Sequence, residues 1–224
     1  ISALSEERRT ELAGALETSR LADVLEELPE DEQVEIIGQL ETEDAVAVLE
    51  EMETDDEIDL LKELPVADRE ALLAQMPEDE VARLRSLLSY NEDTAGGIMT
   101  PEAVIVSPTT PVAEAIARLR DTDLTPALTV RAFVAEPPLQ TPTGQYLGSV
   151  TLPRLLKEPP THQVGDCLDV DVPTITTSAA ESDVAKLLAR YDLLAVAVLD
   201  NARRLVGVVT VDDVLVRLVE GSTQ

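Results

Sequence analysis

A leucine or methionine returns every twelve residues through the first part of this chain. The positions that share this spacing are Leu4, Leu16, Leu28, Leu40, Met52, Leu64, Met76 and Leu88. Each unit continues with an acidic cluster and an apolar pair, such as Ile36-Ile37 or Leu60-Leu61. About two helical turns fit in each unit, and so short a helix is unstable alone in water. The repeat therefore predicts a superhelical solenoid in which each unit buries its apolar face against the next unit.

Prolines and acidic residues mark where these helices begin. Pro29, Pro65 and Pro77 are predicted in the first helical turn, where the missing N–H has no intrahelical partner to lose. The acidic residues that follow each proline face the positive end of the helix dipole. The array is typical of a surface that binds a partner, and not of a catalytic scaffold.

The charge of the chain restricts its partners. The 224 residues include 45 acidic and 17 basic side chains, for a net charge of −28. Such a polyanion excludes nucleic acid as a partner and favours divalent cations. Cys167 is the single cysteine, which excludes a disulfide framework and fits a cytoplasmic location. The longest apolar run, from Leu193 to Leu199, is far shorter than the roughly twenty residues that cross a bilayer, so we expect no membrane span in this chain.

The second half contains an internal duplication. Residues 106–120 match residues 175–190, and Leu147–Thr151 matches Val206–Thr210. Each copy is predicted as strand, helix, strand, strand and helix, with Leu128–Val130 as the second strand of the first copy. About ten extra residues within 131–146 are predicted as an exposed hairpin loop, because they are rich in Pro and Thr. The predicted fold class is therefore α plus α/β: a solenoid of short helices followed by two mixed sheets with helices.

Two motifs in this half carry a family resemblance. Gly207-x-x-Thr210-x-x-Asp213 resembles the signature of cystathionine-β-synthase-type (CBS) domains, and segment 90–101 resembles the linker of the MgtE family of Mg²⁺ channels. The solenoid resembles the N domain of that family. The resemblance covers residues 16–219 and implies an N domain at 1–98 and CBS domains at 99–160 and 161–224.

The resemblance implies a regulatory function. In that family an acidic N domain and a CBS pair are bridged by Mg²⁺, form a homodimer through the CBS domains, and gate a membrane pore domain at the inner face of the cell membrane. That pore domain belongs to the same chain or to another chain. The matching metal ligands are Asp55, Asp59 and Asp23 in the N domain, with Asp213 and Asp192 in the CBS pair. Val216 stands where family members can carry one more carboxylate.

A nucleotide-binding alternative stays open. Some CBS domains hold the ribose of an adenine nucleotide with Thr-x-x-Asp, and Thr210 and Asp213 retain this pair for ATP or AMP. The first copy has Thr151 and Arg154 instead and lacks the carboxylate. In that family a long plug helix links the sensor to the pore, and no such helix is seen between the last CBS helix and Gln224. We therefore expect the chain to be either the sensor of a channel or a stand-alone regulator that docks a protein partner. Simple adhesion through the acidic face is the third reading.

An enzyme is not expected. His162 and Cys167 are five residues apart, but there is no second histidine to complete a site. The glycines form no phosphate-binding motif of the Gly-x-Gly-x-x-Gly or Walker type.

Overall fold

The computed structural model describes residues 16–120, 124–169 and 171–221. The chain divides into two compact units, residues 1–89 and residues 90–224. The first position of the twelve-residue repeat, Leu4, lies outside the described residues.

The first unit is built from short helices that follow the repeat. Its described helices are α1 (Thr18–Glu26), α2 (Glu30–Ile37), α3 (Thr42–Leu49), α4 (Thr54–Glu63), α5 (Val66–Leu73) and α6 (Glu78–Leu88). Pro29, Pro65 and Pro77 each stand one residue before a helix, at the N-cap, and not inside the first turn as predicted. Their carbonyl oxygens accept the first intrahelical hydrogen bonds, for example from Gln33 N–H to Pro29 at 3.0 Å.

The apolar pairs form the core of this unit. Leu25, Leu49, Leu60, Leu61 and Leu73 are almost fully buried. The solenoid is confirmed, but the prediction that each helix packs mainly on the next was wrong. The most extensive helix contacts join α1 with α3, α2 with α4, α3 with α5 and α4 with α6. Because the short turns between helices redirect the chain, the apolar faces meet at every second helix.

The second unit contains the two predicted copies of a small sheet. The first copy comprises β1 (Ile105–Val106), α7 (Val112–Arg118), α8 (Pro126–Thr129), β2 (Arg131–Ala135), β3 (Tyr146–Thr151) and α9 (Leu152–Leu155). The second copy comprises β4 (Ile175–Thr176), α10 (Glu181–Tyr191), β5 (Ala195–Leu199), β6 (Leu205–Thr210) and α11 (Val211–Gly221). In each sheet the first two strands pair parallel and the last two antiparallel. A 3₁₀ turn, Val164–Cys167, lies between the copies.

One predicted strand was misplaced. Leu128 and Thr129 lie at the end of the helical turn α8, which Pro126 begins. The strand is β2, Arg131–Ala135, and every one of its residues is buried. The insertion of the first copy is therefore confined to residues 136–145. Thr143 within it is 1% exposed and its N–H donates to the Leu205 carbonyl at 2.9 Å, so the loop is not wholly exposed as predicted.

The linker, residues 90–101, packs on the second copy. Ala95 N–H donates to Ala179 at 2.8 Å, and Gly96 N–H donates to Thr177 at 2.9 Å. Thr100 and Val208 exchange two backbone hydrogen bonds of 2.9 and 2.8 Å. The linker thus adds a short edge segment to the sheet that carries Thr210. None of the described helices is long and apolar enough to cross a membrane.

Candidate functional site

A group of three carboxylates lies where α4 begins. One carboxylate oxygen each from Glu53, Asp55 and Asp56 lies within 4.8 Å of the others. Glu53 is exposed, and Asp55 and Asp56 are half-buried. Carboxylate oxygens at this separation are suited to a hard divalent cation that keeps some of its water ligands. The first turn of α4 also stabilises negative charge at this place.

Asp55 was singled out from the sequence, whereas Glu53 and Asp56 were not. The signal that could have found them is the acidic run itself, because a glutamate before the helix and two aspartates in its first turn bring three carboxylates to one helix end. In the part of the chain that the structure describes, this group includes Asp55 and none of the other predicted ligands.

Asp59 lies one helical turn beyond Asp55 on α4, as its spacing predicted. Lys62 donates a hydrogen bond of 2.8 Å from Nζ to Asp59 Oδ1. The Lys62 side chain is 10% exposed and the Asp59 side chain 34% exposed. A metal at Asp59 would therefore share the carboxylate with a lysine that is already partly withdrawn from water.

The N-terminal part of α4 is tied to α6. Arg83 donates to Thr54 Oγ1 at 3.2 Å and to Glu80 Oε1 at 3.4 Å. Its guanidinium lies 4.0 Å from the carboxylate of Glu57, which is 2% exposed. These contacts fix the helix end that presents the three carboxylates.

Asp213 and Thr210 form a reciprocal cap at the start of α11. Thr210 N–H donates to Asp213 Oδ2 at 2.8 Å, and Asp213 N–H donates to Thr210 Oγ1 at 3.4 Å. Burial raises the pKa of the Asp213 carboxyl, and the hydrogen bonds from Thr210 oppose that rise. One Asp213 oxygen is thus committed to the cap, and the buried hydroxyl of Thr210 contacts the backbone of Asp213.

Asp192 and Asp23 are exposed. Asp192 ends α10 in the left-handed conformation, with φ 51° and ψ 43°. It lies at the edge of a cavity of about 390 Å³ between α10 and α11, lined mainly by leucine, valine and alanine side chains. Asp23 lies on α1. Val216, where a further carboxylate would be expected, is a 57% exposed apolar side chain.

Comparisons with known proteins agree on one family. The model of the MgtE intracellular N domain matches residues 1–93, and the CBS domain model matches residues 95–160 and 164–220. The magnesium transporter MgtE of Thermus thermophilus is 34% identical over 134 residues, which are 60% of this chain and 29% of that protein. The Enterococcus faecalis transporter of the same name is 29% identical over 136 residues, which are 61% of this chain and 29% of that protein. The chain thus spans less than a third of the curated relatives it matches.

Solved structures extend the match over nearly the whole chain. The soluble part of a magnesium transporter superimposes with a TM-score of 0.86 at 28% identity, covering 99% of this chain and 85% of the other. The cytosolic domain of the Mg²⁺ channel MgtE in complex with ATP gives a TM-score of 0.84 at 32% identity, covering 96% of this chain and 86% of the other. With its N domain, linker and CBS pair in the same order, this chain belongs to the MgtE family.

Proposed function

We propose that the chain is the cytoplasmic Mg²⁺-sensing region of an MgtE-type magnesium channel or transporter. The observation that carries the proposal is the group of Glu53, Asp55 and Asp56, whose oxygens lie within 4.8 Å of one another on the unit that matches the MgtE N domain. Its role is regulatory and not catalytic. The functional domains we propose are residues 1–98, 99–160 and 161–224.

Charge supplies the physical basis of sensing. A net charge of −28 makes the two units repel each other when no cation is bound. Mg²⁺ held by carboxylates of both units would remove that repulsion and favour the docked state. Binding that is tighter in one state shifts the population toward it, which is all that a gate requires. The proposed ligands in the N domain are Asp55, with Glu53 and Asp56 of the same group, then Asp59 on the same helix and Asp23 on α1.

On the CBS side the proposed ligands are Asp213 and Asp192. The raised pKa of Asp213 follows from burial, which disfavours its charged form. A bound cation favours the ionised carboxylate, so Mg²⁺ binding and ionisation of Asp213 would reinforce each other.

A homodimer through the CBS pair is proposed from exposed apolar side chains on α10, on α11 and in the turn that follows α10. Leu194, Leu215 and Val216 are 48%, 53% and 57% exposed, and Tyr191 is 52% exposed. Large apolar side chains exposed together on two helices that contact each other are costly in water unless a partner covers them. The remaining proposed partner is the membrane pore domain, of the same chain or of another, at the inner face of the cell membrane.

The second candidate function is nucleotide sensing through Thr210 and Asp213, with ATP or AMP as the ligand. It is favoured by the similarity to an MgtE cytosolic domain that was crystallised with ATP. The cap between Thr210 and Asp213 would have to open or accept a ribose hydroxyl as a third partner.

Thermal melting distinguishes the two functions. With Mg²⁺ in hundredfold excess over its dissociation constant, the folded state should gain about 2.7 kcal/mol. The double variant Asp59→Ala with Asp213→Ala should lose that gain. The control is the double variant Asp68→Ala with Asp212→Ala, which removes two exposed acidic residues from first helical turns and should keep the gain. Stabilisation by ATP or AMP in EDTA that Thr210→Ala removes would favour the nucleotide function. If neither ligand shifts the transition, both proposals fail.

A further inference from the structure

The two copies of the sheet unit place a carboxylate at the same backbone position by different routes. In the second copy Thr210 N–H donates to Asp213, three residues along the chain. In the first copy Arg154 stands where Asp213 stands in the second. The equivalent N–H, of Thr151, donates instead to Asp169 Oδ2 at 3.1 Å. A carboxylate from eighteen residues away therefore replaces the missing one.

This substitute carboxylate lies between two guanidinium groups. In the first sheet Arg131 lies opposite Thr151. In the second sheet the equivalent position, opposite Thr210, is occupied by Ala195. Arg131 Nη1 lies 3.9 Å from Asp169 Oδ2, and Arg154 Nε lies 3.9 Å from Asp169 Oδ1. The first copy thus has two cationic groups where the second copy has an alanine and an aspartate.

Both arginines are held in place by other contacts. Arg131 is 9% exposed and donates to Ser149 Oγ at 2.6 Å. Arg154 donates from Nε to the Cys167 carbonyl at 2.9 Å, and its Nη2 lies 4.0 Å from Glu158 Oε1. These contacts also orient the two guanidinium groups, so both positive charges would remain beside an anion at this place if the Asp169 carboxylate were removed.

Asp169 is fixed through its backbone. Its N–H donates to the Ser149 carbonyl at 2.8 Å, and the two residues form an antiparallel bridge at the edge of β3. Burial lowers the pKa of the Arg131 guanidinium, and the negative charge of Asp169 raises it part of the way back. A buried arginine without a counter-ion is strongly destabilising, so this position requires an anion.

We propose that the first CBS copy contains an oxyanion site formed by Arg131, Arg154 and Thr151 N–H, and that the chain's own Asp169 carboxylate occupies it. A phosphate-bearing ligand is thereby excluded from the first copy while Asp169 stays in place. This inference goes beyond the proposed Mg²⁺ sensing and holds or fails independently of it.

The test uses the whole chain in EDTA, with inorganic phosphate as the probe and sodium chloride of equal ionic strength as the reference. Asp169→Ala should melt lower than wild type and regain stability with phosphate. Its half-saturating phosphate concentration should be about tenfold or more below that of wild type, because a like charge at close range has been removed. Adding Arg154→Ala to this variant should remove the recovery. Asp166→Ala, which removes an exposed acid of the same loop, is the matched control and should behave as wild type.

Equal phosphate dependence of Asp169→Ala and Asp166→Ala would overturn the proposal. Asp169→Asn covers the case in which the alanine variant does not fold, because it keeps the size of the side chain but removes its negative charge, so that phosphate needs to displace only a neutral amide from Thr151 N–H. In that variant phosphate should shift the Thr151 amide resonance in a ¹⁵N-correlated spectrum, and it should not do so in wild type. An unshifted Thr151 resonance in Asp169→Asn would also refute the occupied site.

Discussion

Replacing Gly207 with alanine is predicted to separate the linker from the second sheet. A Cβ at this position would lie 2.7 Å from Met99 Sδ and 2.8 Å from the Thr100 carbonyl oxygen. The Met99 side chain can move away. The Thr100 carbonyl cannot, because Thr100 and Val208 are joined by two backbone hydrogen bonds. The new methyl group must therefore displace backbone, and not only a flexible side chain.

The cost follows from overpacking a well-ordered contact, which is about 1–3 kcal/mol. A loss of 1 kcal/mol lowers the melting temperature of a unit of this size by about 3–5 °C. At the middle of the range, Gly207→Ala should lower the transition of the second unit by about 6–10 °C.

Calorimetry in EDTA measures this change without a contribution from bound cations. Gly38→Ala is the control, because Gly38 ends α2 in the right-handed helical conformation, with φ −66°. A Cβ there would lie 3.2 Å from the Val34 carbonyl oxygen, a far milder contact than at Gly207, and Gly38→Ala should change the stability of the first unit by less than about 1 kcal/mol. If Gly207→Ala melts within about 1 °C of wild type, the close contact between linker and sheet is not the constraint that the distances indicate.

Three further predictions concern packing, pH and surface charge. Leu60→Ala should destabilise the solenoid by about 2–5 kcal/mol, because Leu60 is fully buried, and Leu60→Met by less than about 1.5 kcal/mol in urea unfolding. The pKa of the Asp213 carboxyl is raised in the folded state, so the folded protein favours its protonated form. The free energy that Asp213 contributes to stability should therefore fall as the pH rises from about 3.9, the ordinary pKa of an aspartate, through the raised pKa of the folded state. Asp213→Asn should lack that fall in urea titrations at successive pH values, and parallel pH profiles would contradict the assignment. The exposed pair Glu70 and Arg85 should contribute less than about 1 kcal/mol in a double-mutant cycle, and a larger coupling would show that the pair is more than a surface contact.

Local patterns in the sequence predicted the helices well. The twelve-residue spacing, the prolines before helices and the acidic first turns are all properties of neighbouring residues, and they located the solenoid. The duplication likewise predicted the order of strands and helices in the second copy, and in the first copy apart from the extra helical turn α8. These features need no knowledge of distant contacts.

Long-range pairing explains what the sequence did not reveal. The second strand of the first copy is fixed by its register against β1 and β3, so Arg131–Ala135 forms it although Leu128–Val130 has a similar composition. The packing of alternate helices in the solenoid is likewise a tertiary result. Asp169 reaches Thr151 across eighteen residues, a contact that a motif of adjacent positions could not indicate. The lysine that binds Asp59 follows it by only three residues, but its burial depends on packing.

Small-angle X-ray scattering during a Mg²⁺ titration tests Mg²⁺ sensing most directly. The reference is sodium chloride at matched ionic strength, because screening alone also weakens the repulsion within a chain of net charge −28. The account predicts a saturable decrease in the radius of gyration with Mg²⁺ that the reference salt does not produce and that Asp59→Ala with Asp213→Ala abolishes. An identical radius of gyration in Mg²⁺ and in the matched salt would contradict it.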